Sequence, residues 1–206
     1  MKILMINGSP HKNGAIGTAF EETEKIFEKN GAEREIIQVG SSNLRGCVAC
    51  GKCRELGKCV FGDIVNEAAE KLENADALIV GSPVYYAGAN GSLASFMDRL
   101  FYSTNSIDKR FKVGAAVVSC RRGGASASFD AINKYFTIAG MPVASSQYWN
   151  SIHGNNREEA LCDLEGLQTM RALAENICFL IKSIALGKEK YGYPEKEKPI
   201  ATNFIR

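Results

Sequence analysis

The stretch KILMINGSPHKNGAIGT, residues 2–18, opens on an uninterrupted apolar run from Ile3 to Ile6 that stops at Asn7-Gly8. A Gly/Ser/Asn loop follows, and beyond it Ala19, Phe20, Thr23, Ile26 and Phe27 recur at helical spacing. A short strand without polar alternation is one covered on both faces, as crossover helices cover parallel strands. Strand, glycine-containing loop and helix, in that order, predict a βα unit of a parallel sheet.

The unit repeats along the chain. Strands are expected at Lys2–Ile6, Glu35–Val39, Ala77–Gly81, Val113–Ser119 and Pro142–Ser146. The helices between and after them show their inner faces at Ile64, Val65, Ala68, Ala69 and Leu72, at Leu93, Phe96, Met97, Leu100 and Phe101, at Ile132 and Phe136, and from Leu164 to Ile181. Strict alternation with right-handed crossovers gives an open, doubly wound α/β sheet. A chain of 206 residues with 45% hydrophobic content suits one domain. From Lys188 to Arg206 charge, Gly, Pro and aromatics mix without a period, so the expected division is a folded domain at 1–187 and a tail, or an arm lying on a neighbouring subunit, at 188–206.

A formal net charge of +2, with Lys and Arg scattered, leaves no basic stripe for nucleic acid and no cationic amphipathic helix for a membrane. No apolar run approaches a membrane span and no signal peptide is evident, which predicts a cytoplasmic protein acting on a small molecule. Seven cysteines in a reducing compartment point to metal or redox chemistry before structural disulfides. Only two histidines occur, His11 and His153, and neither stands in a nucleophile elbow or at metal-ligand spacing with the other. Hydrolase and zinc-enzyme readings are therefore poor.

In a doubly wound sheet, ligands bind beyond the carboxyl ends of the strands. The first loop there, GSPHKNGAIGT, has neither G-x-G-x-x-G nor the Lys-Ser/Thr of a Walker loop, which argues against a dinucleotide in that mode and against ATP. A loop closing on a helix N-terminus still favours a phosphate; an ordinary turn capped by Asn13 is the alternative. The second, GSPVYYAGANGSLASFMDR, offers Pro83 for stiffness, Tyr85 and Tyr86, and glycines for close approach, a surface suited to a flat ring system. The third, SCRRGGAS, brings Arg121 and Arg122 beside Gly123-Gly124.

These three loops, with GMPVASSQYWNSIHG after them, resemble the NADPH-dependent FMN reductase family of flavodoxin-like proteins over roughly residues 1–185. The resemblance implies a three-layer sandwich with a five-stranded parallel sheet in the order 2-1-3-4-5, and non-covalent FMN. It implies that Ser9, His11, Asn13 and Gly14, with Ala15 and Ile16 behind them, hold the FMN phosphate. Pro83, Val84, Tyr85, Tyr86, Ala87 and Gly88 would line the isoalloxazine, with Ser119, Arg121, Gly123 and Gly124 around its other edge. Relatives usually carry hydroxyl or amide side chains where Ala15 and Ile16 stand. Backbone N–H groups, Ser9 and Thr18 are left to compensate, and weaker FMN retention is expected.

The same resemblance implies an oxidoreductase in which FMN carries the chemistry and no side-chain acid is required. NAD(P)H would give a hydride that passes to a flavin, quinone or other small acceptor. The stretch GCVACGKCRELGKC, residues 46–59, has the spacing C-x2-C-x2-C-x5-C and is similar to that of iron-sulfur flavoproteins. This implies a 4Fe-4S cluster on Cys47, Cys50, Cys53 and Cys59, with electrons coming from ferredoxin. Flavin-only relatives often keep several of these cysteines, and zinc takes the same thiolates in two separated pairs. A cluster and a cluster-free loop both stay open, as does a flavin-binding protein without turnover. Relatives form dimers or tetramers, and Trp149 suits such a contact, with core packing as its alternative. Cys120, Cys162 and Cys178 read as buried small residues or incidental thiols.

Overall fold

The period of two along each strand sorts the central sheet into two cores, one on each face. In β1 (Lys2–Asn7), Ile3 and Met5 face one side, Leu4 and Ile6 the other, and all four are buried. The computed structural model describes residues 1–202 and continues as α1 (Ala15–Lys29), β2 (Glu33–Gln38), a single turn α2 (Cys53–Leu56), α3 (Ile64–Asn74), β3 (Ala77–Tyr85) and β4 (Gly88–Ala89). After these come α4 (Gly91–Ser103), β5 (Val113–Cys120), α5 (Ala125–Ile138), β6 (Ser151–His153), α6 (Arg157–Cys162) and α7 (Leu164–Tyr191).

The sheet runs β2-β1-β3-β5-β6 with every pair parallel, and β4 adds only an antiparallel hairpin arm to the end of β3. Setting that arm aside, the order is the expected 2-1-3-4-5. Ile3, Met5, Ile79 and Val117 pack under Phe20 and Phe27 of α1 and Met170, Leu173 and Ile177 of α7. On the opposite face, Leu4, Ile6, Leu78 and Val118 pack under Val65 and Leu72 of α3, Phe96 and Leu100 of α4, and Phe136 of α5. Each such side chain, fully buried, contributes about 1.5–3 kcal/mol, so both layers are needed to hold the sheet.

The fifth strand departs from the expectation at Pro142–Ser146. There the chain makes one parallel bridge, Val143 to Gly114, leaves the sheet, and returns at Ser151–His153 alongside Val118–Cys120. Buried Asn150 holds the return in place. Its Nδ2 donates to the carbonyls of Ala116 at 3.1 Å and Ala144 at 3.4 Å, and its backbone carbonyl accepts from the Val118 N–H at 3.0 Å. A side-chain amide thus stands in for ladder bonds across the excursion.

The last helix continues through Lys188 to Tyr191, so the tail's first residues are helical; beyond it, Tyr193 stacks on Phe111 with ring centroids 4.6 Å apart. Residues 203–206 of the expected tail lie outside the described residues.

Candidate functional site

The loop after β1 is shaped from below. Buried Asn7 accepts from the Ser9 N–H at 2.9 Å, Gln38 of β2 donates to the Ser9 carbonyl, and the Ser9 hydroxyl accepts from the His11 N–H at 3.2 Å. Gly40 passes so close that a Cβ there would lie 2.1 Å from the Ser9 carbonyl carbon. The loop delivers Gly14 as the N-cap of α1 with no side chain accepting from the first turn, whereas Asp63, Asn90 and Asp163 cap α3, α4 and α7. Asn13 does not cap the helix. An uncapped N-terminus at the carboxyl edge of the sheet leaves backbone donors and the helix dipole facing outward, which fits a phosphate.

Two residues of this loop do less than the sequence suggests. Ile16 is fully buried in the core beside Phe20, with its side chain against Gly81 and not in the loop. A polar side chain at position 16 would lie under the sheet. Thr18 is buried too, and its hydroxyl donates to the Gly14 carbonyl at 3.1 Å inside the helix. Neither the missing hydroxyl at 16 nor the present one at 18 therefore bears on a phosphate. Of the loop's candidates, Ser9, His11, Asn13 and the backbone remain.

Pro83–Gly88 form the tip of the β3–β4 hairpin. Its base is closed by Ser82, which accepts from the Asn90 N–H at 2.9 Å and donates to the Pro83 carbonyl at 2.9 Å. Tyr86 and Ala87 turn the corner with φ of +50° and +58°, left-handed backbone that two non-glycine residues rarely share. Tyr85 and Tyr86 are exposed, while Pro83, Val84 and Gly88 are half-buried. Ser119 pairs with Pro83 across the sheet. Gly124, at φ +91°, sits where a Cβ would come 2.8 Å from the Cα of Ala87 and 2.9 Å from Val84 Cγ1. The second and third loops are therefore in direct contact, and α5 also starts without a side-chain cap.

Beside Gly123 and Gly124 opens a cleft of about 550 Å³ whose walls include Arg122, Tyr148, Trp149, His153 and Asp163. Tyr148 and Trp149 are exposed and their rings lie 5.0 Å apart, so the lone Trp is not packed in the core. His153 Nδ1 lies 3.0 Å from Asp163 Oδ2. Burial works against the Asp163 charge, but N–H bonds from Gly166 and His153, with the imidazole beside it, hold the carboxyl below its usual range. Sequence reasoning gave His153 no part here, because the aspartate that fixes its ring comes from the cap of the next long helix.

The cysteine stretch forms the β2–α3 connection. Cys47 and Cys50 are exposed, Cys53 starts α2, and Cys59 is half-buried with Asn66 bonding both its N–H and its carbonyl at 2.9 Å. Left-handed backbone at Ala49, Gly51 and Gly57 curls the stretch, and all four cysteines are among the residues around one small, largely apolar recess of about 20 Å³, with Phe61 and Arg99. The thiols are free, and no three metal-ligating side chains are drawn together among the described residues. The donor set itself, four cysteines on one recess with small residues between them, fits a four-thiolate centre. Cys120 and Cys178 are buried elsewhere, and burial pushes both thiols up.

Arg99 faces this recess from α4, and it was not legible as a site residue. It is 1% exposed, forks onto Asp63 with two bonds of 2.8 Å, and directs Nε and Nη2 at Cys59 Sγ at 3.4 and 3.2 Å. Burial opposes both charges, yet the fork holds Asp63 below its usual range and Arg99 above.

A parallel 2-1-3-4-5 sheet with an uncapped helix behind the first strand and an aromatic hairpin beside a glycine pair defines a flavodoxin-like flavoprotein. The chain belongs to the NADPH-dependent FMN reductase family, which matches residues 1–156. It is 32% identical over 191 residues to an iron-sulfur flavoprotein of Methanocaldococcus jannaschii, across 89% of this chain and 99% of that one. It is 31% identical over 198 residues to an iron-sulfur flavoprotein of Methanosarcina thermophila, across 92% and 100%. The structure of a flavodoxin from the domain Archaea superposes with a TM-score of 0.60 at 18% identity, across 88% and 99%, a likeness of fold. The protein is an FMN-dependent oxidoreductase. Among the described residues no helix is long and apolar enough to cross a membrane.

Proposed function

We propose that the protein is an electron-transfer oxidoreductase with FMN at the three strand-end loops and a 4Fe-4S centre on Cys47, Cys50, Cys53 and Cys59. It would accept electrons from a reduced ferredoxin and deliver them to a small-molecule acceptor. The observation that carries this is the recess that all four cysteines surround, with the guanidinium of a buried arginine turned toward the sulfur of one of them. The names of relatives that align over nearly the whole chain support it. When bound, FMN supplies hydride and single-electron chemistry and the iron-sulfur centre supplies single-electron exchange.

The chain's own part is to bind and orient. Ser9, His11, Asn13 and Gly14, with the N–H groups of Ala15 and Ile16, would hold the phosphate. Pro83, Val84, Tyr85, Tyr86, Ala87 and Gly88 would flank the ring system on one side, with Ser119, Arg121, Gly123 and Gly124 at its other edge. One observation favours NAD(P)H as a second reductant: the open cleft beside Gly123 offers two exposed aromatic rings and the Arg122 cation to a nicotinamide cofactor. The exposed Tyr148 and Trp149 at its mouth also support a homodimer or homotetramer, which light scattering would read directly.

Anaerobic purification with flavin, iron and sulfide quantified tests the proposal. Expected are about one FMN, about four irons and about four sulfides per chain, with flavin bleached by reduced ferredoxin. Iron-free protein bleached by NADPH would replace this with the reductase reading. Protein bleached by neither would be a flavin-binding protein without turnover.

A further inference from the structure

Arginine is almost never fully buried unless its donors are satisfied. Arg99 satisfies them in an uneven way. Two bonds form the fork on Asp63, one contact at 3.4 Å reaches the Arg45 carbonyl, and the remaining two converge on Cys59 Sγ. The guanidinium also lies over the Phe61 ring, 4.8 Å from its centre. An ion pair that only ties α3 to α4 needs the carboxylate alone. Here the donors are divided between a carboxylate, a carbonyl and a sulfur, and Asn66 bonds both the N–H and the carbonyl of Cys59, fixing the backbone that carries the sulfur.

We propose that Arg99 is a positioning residue that sets the reduction potential of the centre held by the four cysteines, with Asp63 balancing its charge. The proposal rests on the four-cysteine reading given above. Adding one electron to a thiolate-ligated centre makes it more negative by one charge. N–H donors and positive charge at a ligand sulfur favour that form and raise the potential. Asp63 offsets the cation while aligning its fork.

Substitutions at the two ends of the pair then act in opposite directions. Arg99→Met removes the donors and the cation and leaves the carboxylate by itself, which lowers the potential. Asp63→Asn keeps an N-cap for α3, because Asn caps as well as Asp, and leaves the guanidinium uncompensated, which raises it. A pair that served packing alone would give no such opposition.

The experiment is a potentiometric titration of the anaerobic holoprotein followed by electron paramagnetic resonance, with iron, sulfide and FMN measured on the same samples. The midpoint is expected to fall in Arg99→Met and to rise in Asp63→Asn, each by at least the 59 mV or so that a tenfold change in a one-electron equilibrium represents. If Arg99→Met fails to retain the centre, Asp63→Asn carries the same test by itself. Stoichiometric iron and sulfide with unmoved midpoints would overturn the role of Arg99 and leave the four-cysteine reading standing. Wild-type protein that holds FMN but neither iron nor sulfide would overturn that reading, and this inference with it.

Discussion

At position 16, the chain shows how little a motif says about where a side chain points. Ile16 follows Asn-Gly in the phosphate-type loop, yet its side chain is part of the core beneath the sheet. Ile16→Thr is therefore expected to bury an unpaired hydroxyl, destabilising the fold by about 1–3 kcal/mol and leaving the FMN dissociation constant within about twofold. Urea denaturation and a flavin fluorescence titration read the two effects; tighter FMN binding with unchanged stability would show the side chain facing the ligand after all. Ala87 gives the opposite case. It holds a left-handed φ without being glycine, a strain of about 1 kcal/mol or more. Ala87→Gly is expected to raise the melting temperature by about 2–4 °C, as 1 kcal/mol does in a chain of this size. A lower melting temperature would mean that the Cβ is worth more to the neighbouring loop than the strain it costs.

Among the elements, what was legible followed burial on both faces. β1, β3 and β5 read as continuous apolar runs because helices cover both sides of them. The fifth strand misled because its pairing is split around an excursion, and the bonds that close the split come from Asn150, which no strand pattern favours. The β3–β4 hairpin was invisible because Tyr86-Ala87 lacks the Asn-Gly or Asp-Gly signature of its turn. The α4–β5 connection hides a further group: Lys109 is buried, donating to the carbonyls of Thr104 and Ile107. Burial, with Lys196 and Lys112 adding to it and Asp108 opposing, lowers its pKa from 10.5 to about 8. Between those values the unfolded chain binds the proton and the folded one does not, so stability rises with pH across the window. Below about pH 8 the cost of charging Lys109 in the fold is fully present. Relative to Lys109→Met, the wild type is expected to gain on the order of 2–3 kcal/mol from pH 7.5 to 10. Denaturation midpoints for both proteins at the two pH values measure the difference, and parallel profiles would place the proton elsewhere.

For the molecule as a whole, the parallel order gathers at one edge the loops that follow β1, β3 and β5, although 30 or more residues separate them in the chain. This gathering was legible, because it follows from alternation and crossover handedness alone. The Arg99–Asp63–Cys59 cluster was not, since Asp63 and Cys59 lie 36 and 40 residues from Arg99 and a helix pattern around Phe96, Met97 and Leu100 gives no sign that Arg99 turns inward. Loops that start on separate strands and share few bonds are joined most strongly by a ligand that touches all three. FMN binding should therefore stabilise the entire domain rather than a single loop. At a free concentration of 100 times the dissociation constant the linkage is about 2.7 kcal/mol, which corresponds to a rise in melting temperature of roughly 5–11 °C over the deflavinated protein. Riboflavin lacks the phosphate that the uncapped N-terminus of α1 would receive, and it should give a markedly smaller rise at equal concentration. Calorimetric scans of the deflavinated protein with each flavin compare the two. Equal rises would remove the phosphate role of the β1–α1 loop while leaving the ring site intact.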